Sequence, residues 1–384
     1  MKKQTIVALL ALTWLPMEAQ TEKEDSWEKQ LSERIEVHGF IQAGYTATNV
    51  EEGTMKTNTF DMKRSLLFAK ARITDRWSFL LMTDFNSQVQ EYYTDYRVTQ
   101  GKGLTVRFGQ FKNQLTMENP IAPTVLELVD LCSMATTYLA GGGSDPLFGL
   151  NYGRDLGIEL YGELAKGHLR YNLQVLNGNG INKTDPDNRK DVIAKLDYRP
   201  CKNFRLVASA QKGYATAKAL SNYDLQVFEE TLVPGKSYEF DGIGNHYTIL
   251  KGETYRRDRW TIGAEYKRPN DYWKNRGLSL RAEWMSGQDK DNIAQGGYLT
   301  GSGPIVGQLD WVASFDYFNY DVSSYYRDGN DIVKEFHKEQ FKYVLGLQYW
   351  FYRNCRFSAQ YSLRQPWYVT TLDQYFQMQM QVAF

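Results

Sequence analysis

Apolar and polar side chains alternate with a period of two through most of this chain. In 342–352 the odd positions are Tyr343, Leu345, Leu347, Tyr349 and Phe351, set between Lys342, Gly346 and Gln348. In 376–384 the order is Phe376, Gln377, Met378, Gln379, Met380, Gln381, Val382, Ala383 and Phe384. The segments 35–45, 67–73, 104–108 and 168–176 repeat the pattern. Successive side chains of a strand point to opposite faces, so each segment predicts a strand with one apolar and one polar face.

A soluble sandwich would alternate in the same way. Three further features favour a transmembrane antiparallel β-barrel. The polar faces carry many charges, while the apolar faces repeatedly end in Tyr, Trp or Phe, as aromatic girdles do. Short and long connections alternate. The N-terminus reads as an export signal. Strands are expected near 35–47, 58–73, 76–87, 90–98, 103–112, 153–164, 167–177, 191–199, 203–214, 254–268, 277–287, 293–302, 307–319, 341–352, 355–364 and 373–384, sixteen in all. Short turns are expected around 74–75, 101–103, 165–167, 200–202, 269–276, 302–303 and at Asn354, and longer loops at 113–152, 178–190, 215–253 and 320–340. An even count returns both ends to the side of the short turns. The last strand must then pair with the one that begins near Ile35 and leave no open edge.

Hydropathy supports strands over helices. The mean hydropathy is −0.53, and a helical span needs about 20 apolar residues in a row. Only Ile6–Leu15 approaches that, preceded by Lys2 and Lys3 and followed by Pro16. This pattern predicts a signal peptide over 1–19, cut after Ala19, then a polar periplasmic lead over 20–34 and the barrel over 35–384. Export implies an oxidising compartment, yet the three cysteines Cys132, Cys201 and Cys355 have no disulfide or zinc spacing. With 45 basic and 45 acidic residues the net charge is nil, which removes any global electrostatic case for nucleic acid.

The 113–152 segment is apolar and glycine-rich, with Leu115, Met117, Ile121, Leu126, Leu128 and Val129 ahead of Gly141-Gly-Gly-Ser144. A long non-strand segment inside a barrel is usually functional. It is expected to fold into the lumen and narrow it; packing against a neighbouring barrel or over the outer mouth is the other option. A short helix is expected to start within Pro120–Leu131. The segment carries Glu118, Glu127, Asp130 and Asp145 and no Lys or Arg.

Alternation puts Arg64, Lys70, Arg72, Arg97, Arg107, Arg170, Lys195, Arg205, Lys267 and Arg281 on the lumen face, with Lys112 at the start of the long loop. A nearly equal set of carboxylates joins them, including Glu36, Asp84, Glu91, Asp95, Asp155, Glu159, Asp191, Asp197, Glu265 and Glu283. A single-sign ring selects ions by charge, whereas this mixed lumen favours hydrophilic solutes broadly. Lys70, Arg72 and Arg107 lie on early strands. They form either a local basic strip or a set of wall-stiffening ion pairs. No nucleophile elbow, phosphate-cradling loop or metal spacing accompanies the four histidines, so neither an enzyme nor a cofactor is expected. Loop tyrosines Tyr223, Tyr238, Tyr247, Tyr325 and Tyr326 leave open a barrel that binds a nutrient such as an oligosaccharide.

Several stretches resemble the phosphate-selective porins of the O and P type. They are Phe68-Ala-Lys-Ala-Arg-Ile73, Thr83-Asp-Phe85, Phe108-Gly-Gln-Phe-Lys112 followed by Glu118-Asn-Pro120, and Arg154-Asp-Leu-Gly157. Asn177-Gly-Asn-Gly180, Gly297-Tyr-Leu-Thr-Gly301, Val344-Leu-Gly-Leu-Gln-Tyr-Trp350 and the final Gln-Met-Gln-Val-Ala-Phe384 complete the set. The resemblance runs from Gly39 to Phe384. It implies a sixteen-stranded channel in the outer membrane of a Gram-negative-type bacterium, commonly a homotrimer, that passes small solutes or anions by diffusion. It also implies that the terminal aromatic is read by the barrel-insertion machinery.

Overall fold

A computed structural model describes residues 34–50, 58–141, 144–145, 149–150, 152–217, 252–269, 276–290, 292–319, 326–328, 331–333, 339–365 and 372–384. The expected signal peptide, the lead up to residue 33, the loop tyrosines 223, 238, 247 and 325, and the turn at 270–275 lie outside the described residues.

Sixteen antiparallel strands close into a barrel. In chain order they are β1 (Ile35–Thr48), β2 (Asn58–Arg72), β3 (Trp77–Asp84), β4 (Val89–Arg97), β5 (Thr105–Lys112), β6 (Arg154–Leu164), β7 (Leu169–Leu176) and β8 (Asp191–Cys201). The second half is β9 (Phe204–Thr216), β10 (Thr254–Pro269), β11 (Gly277–Asp289), β12 (Asn292–Val306), β13 (Leu309–Asn319), β14 (Glu339–Tyr352), β15 (Cys355–Gln365) and β16 (Asp373–Ala383). Each strand pairs with its chain neighbours. β16 closes on β1 in the register Phe40↔Ala383 to Thr48↔Tyr375. Closure gives every strand two partners and leaves no edge to pair with another chain.

One expected turn is absent. The chain does not reverse at Ser302-Gly303; β12 continues to Val306 and turns at Gly307, whose φ is +52°. Gly301 and Gly303 are small for a different reason. A Cβ at either would stand 3.0 Å from the Trp311 ring, so the two glycines make room for that indole.

The outer wall is apolar. Phe376, Met380 and Val382 are exposed on β16, while Gln377, Gln379 and Gln381 between them are buried toward the lumen. Aromatic side chains crowd both rims of the wall. Trp77 and Tyr96 meet edge to face near the short turns, and Trp284 stacks on Tyr317 toward the opposite end. An apolar belt between two aromatic girdles is the surface of a barrel immersed in lipid. The core is inverted relative to a soluble protein: the buried residues are largely polar and line the inside.

Candidate functional site

The long β5–β6 connection enters the barrel. Leu115, Met117, Leu126, Leu128 and Val129 are nearly inaccessible within it. Their burial explains why an apolar segment is tolerated in a water-filled tube: it carries its own core and packs that core on the wall. The helix does not begin within Pro120–Leu131. That stretch runs as successive turns, closed by Ile121 N–H to Glu118 O and Val125 N–H to Ala122 O, with Leu131 at a φ of +72°. Pro120 and Pro123 interrupt any helical ladder there. The helix is α1 (Met134–Leu139), capped by Ser133, whose hydroxyl accepts the Thr136 N–H at 3.1 Å. Tyr138 and Leu139 of α1 pack on Met285, Tyr298 and Phe318 of the wall.

Polar bonds pin the loop to the second half of the barrel. The Glu283 carboxylate accepts the Met117 N–H at 3.0 Å, and Asp316 accepts the Met134 N–H at 2.6 Å. Gln348 and Gln360 both donate to the Glu127 carbonyl, Arg356 donates to the Leu126 carbonyl, and Gln381 donates to the Thr124 carbonyl. Loop carboxylates find wall cations. Glu127 accepts from Arg281 at 3.1 Å, Glu118 lies 4.0 Å from the same guanidinium, and Asp130 bonds Lys342 and Gln377. Burial raises the Glu118 carboxyl to about 7 against the pull of Arg281. Burial acts the same way on Asp130, but Lys342 outweighs it and holds that carboxyl below the usual range.

These contacts relocate several expected pore residues. Arg281 does not line the opening: it is 2% exposed beneath the loop, also bonded to Glu265 at 3.1 Å. Glu118 and Glu127 face the wall rather than the water path. Asp145 stands in a two-residue strand, Ser144–Asp145, paired with Gly149–Leu150. Arg107 lies between Asp95 at 2.8 Å and Glu159 at 3.3 Å, with its guanidinium 3.8 Å from the Tyr93 ring centre. The sheet register explains this. Arg72, Ser78, Asp95, Arg107 and Glu159 fall in one row across β2 to β6, so basic residues interleave with acids. Lys70 and Arg72 are exposed on β2, but Lys70, Arg72 and Arg107 do not form an uninterrupted basic strip.

Among the described residues, two cavities on either side of the loop are bordered mainly by the first half of the barrel. A cavity of about 470 Å³ near the short turns is bordered by Arg97, Lys102, Arg170, Lys195, Arg199 and Arg205 against Glu163 and Asp197. A cavity of about 360 Å³ toward the opposite end is bordered by Lys63, Arg64, Lys112 and Arg154 against Asp84. Arg170 pairs with Glu163 at 2.7 Å, and Arg205 with Asp197 at 3.1 Å and Glu265 at 2.8 Å. The Lys195 ammonium is buried and donates to the Thr116 carbonyl at 2.9 Å. Both cavities therefore carry a basic excess, although the charges of the whole chain cancel. Lys63, Lys102, Arg154 and Arg199 were not in the expected set. Lys102, Arg154 and Arg199 sit in a turn or near strand ends, where the alternation that located the others breaks; Lys63 lies inside β2.

Two glycines let the loop approach the wall. A side chain at Gly263 would meet the Met117 sulfur, and one at Gly287 would meet Leu139. At Gly287 the obstacle is the end of a flexible side chain, so alanine should be accommodated there, whereas a Cβ at Gly263 would also stand 2.8 Å from the Ala282 carbonyl oxygen of the neighbouring strand. Gly263→Leu with Gly287→Leu is expected to lift the loop, exposing Glu118 and Glu127 to a Glu-specific protease that leaves the parent protein intact. Equal resistance in parent and variant would show that the close approach does not hold the loop.

No metal-binding cluster of His, Cys, Asp or Glu occurs among the described residues, and the three cysteines are free. Burial pushes the Cys132 thiol up to about 12, which disfavours the reactive thiolate. The His168 ring bonds the Arg199 carbonyl at 2.7 Å, and the His38 ring lies 5.3 Å from that of Phe68. His246 and His337 lie outside the described residues.

No family model matches the chain, and no curated protein does. Solved structures do. OprB of Pseudomonas putida is similar over 95% of this chain and 98% of its own, with a TM-score of 0.61 and 13% identity. An anion-selective porin from Comamonas acidovorans is similar over 91% and 99%, with a TM-score of 0.57 and 11% identity. OmpT of Vibrio cholerae, an outer membrane protein described in a trimer form, is similar over 91% and 99%, with a TM-score of 0.55 and 10% identity. At such identities the likeness is one of fold.

Proposed function

We propose that the protein is an outer-membrane porin that lets small hydrophilic solutes diffuse passively and favours anions, inorganic phosphate and small carboxylates among them. The observation that carries this reading is the separation of charge inside the barrel. Carboxylates of the loop and the second half are occupied in holding the loop: Glu127 with Arg281, Glu283 with Met117, Asp316 with Met134 and Asp289 with Tyr138. The cavities along the first half keep a surplus of Arg and Lys. A water-filled path with low-dielectric walls and one sign of charge raises the local concentration of counter-ions. The described barrel ends, both on the short-turn side, fit a periplasmic N-terminus released from a signal peptide over 1–19, with 20–34 as lead. The anion-selective porin and the trimeric OmpT among the similar folds support the same reading and a homotrimer.

The test is a reversal potential. Purified protein in a planar bilayer under a potassium chloride gradient should pass chloride in preference to potassium, with the bias falling as ionic strength rises. A cation-preferring channel would sink the anion reading and leave only that of a porin.

A further inference from the structure

The two basic cavities have one bordering residue in common, Ile121. Around it the loop presents Pro120-Ile121-Ala122-Pro123, four residues without a polar side-chain atom, and all four are at least partly accessible. Leu115 to Asn119 before it are buried, and after the partly accessible Thr124 and Val125 the chain is buried again from Leu126 to Val129. The loop thus has an interior of its own, yet leaves this apolar turn facing the path. The turn is held in place. Its N–H bonds the Glu118 carbonyl at 2.9 Å, the Lys112 ammonium donates to the Ile121 carbonyl at 2.8 Å, and Gln42 donates to the Pro123 carbonyl.

We propose, resting on the anion reading above, that Ile121 is the specificity-determining residue of the pore: an apolar lip between two basic vestibules that favours anions carrying an apolar moiety over inorganic phosphate. Each vestibule attracts anions of either kind. At the lip an ion must exchange part of its water for a surface that offers no side-chain hydrogen bond. That step is costly for a strongly hydrated ion such as phosphate. An aromatic carboxylate can lay its ring on Ile121 and keep its carboxylate on the Lys112 or Arg205 side, gaining apolar contact where phosphate loses hydration. Apolar constrictions also restrict water itself.

The test uses the full mature protein in planar bilayers, with single-channel conductance measured in potassium phosphate and in potassium benzoate. Ile121→Asn keeps the approximate size and adds polar atoms. It should lower the benzoate-to-phosphate conductance ratio roughly fivefold, mainly by raising the phosphate conductance. Ile121→Leu should keep the parent ratio. Ala122→Asn, on the same rim, should shift the ratio in the same direction by less and provides the readout if Ile121→Asn does not insert. A ratio unchanged in both Asn variants, or shifted as far by Ile121→Leu as by Ile121→Asn, overturns the proposal. If the parent prefers potassium to chloride, the anion reading has failed. If the parent is anion-selective and the ratio is fixed, only the lip has failed.

Discussion

Replacing residues 116–139 with a short Gly-Ser linker should leave the barrel closed and raise its single-channel conductance at least about threefold, since a sixteen-stranded barrel without its plug encloses an aqueous channel. Closure does not depend on the loop. The strand ladder is continuous, and β16 pairs with β1 over Phe40↔Ala383 to Thr48↔Tyr375. The wall groups that the loop now satisfies would not be stranded either. Arg281, Glu283, Asp316 and Arg356 are buried by the loop, so its removal admits water to them, and a hydrated polar group carries no unpaired penalty. The anion preference should persist in the wider path, because the deleted stretch carries Glu118, Glu127 and Asp130 and no Lys or Arg, and its removal frees Arg281 and Lys342 of their loop partners. An unaltered conductance would mean that the loop is not what narrows the pore. A variant that no longer assembles would mean that the lumen's ion pairs hold the wall together more than the ladder does.

The second large effect is on selectivity. Arg170→Glu together with Arg205→Glu brings the basic excess around the larger cavity to nil. A vestibule potential of several kT would be lost with it, so the chloride-to-potassium permeability ratio should fall roughly tenfold. Arg107→Gln supplies the contrast. Arg107 is held between Asp95 and Glu159 and does not border either cavity. Its loss should leave the reversal potential near that of the parent but cost about 3–5 kcal/mol, because two carboxylates are left together without their cation. Reversal potentials and heat-induced unfolding of the three proteins separate these outcomes. A double variant that keeps the parent's permeability ratio would remove Arg170 and Arg205 from the selectivity of the pore.

Strand number, strand order and the facing of most side chains could be read in the sequence, because period-two alternation is a local property. Phe376, Met380 and Val382 face out and Gln377, Gln379 and Gln381 face in as the alternation requires. The even strand count and the closing pair followed from the connections. The entry of the apolar β5–β6 loop into the lumen was legible as well, since such a segment needs cover from water. The alternation failed where glycine served packing instead of turning, as at Gly301 and Gly303 beneath Trp311.

The chemistry of the lumen was not legible in the same way. Alternation sorts residues into inside and outside; it does not say which inside residues meet. Counted along the chain, lumen acids and bases nearly balance, which leaves open whether Lys70, Arg72 and Arg107 form a basic strip or a set of ion pairs. Register changed the meaning of Arg107 by placing it between two acids, and docking of the loop changed that of Arg281 by covering it. In the sequence the glutamines of β16 mark only its polar face, yet Gln377 and Gln381 bond the loop at Asp130 and Thr124. The sequence by itself determined a barrel, its two faces and a segment that had to be covered. Only the tertiary structure decided where that segment lies. Its contacts tie up carboxylates of the wall, and the two cavities beside it are bordered mainly by arginines and lysines. That outcome depends on contacts between residues more than 200 positions apart, which no local pattern encodes.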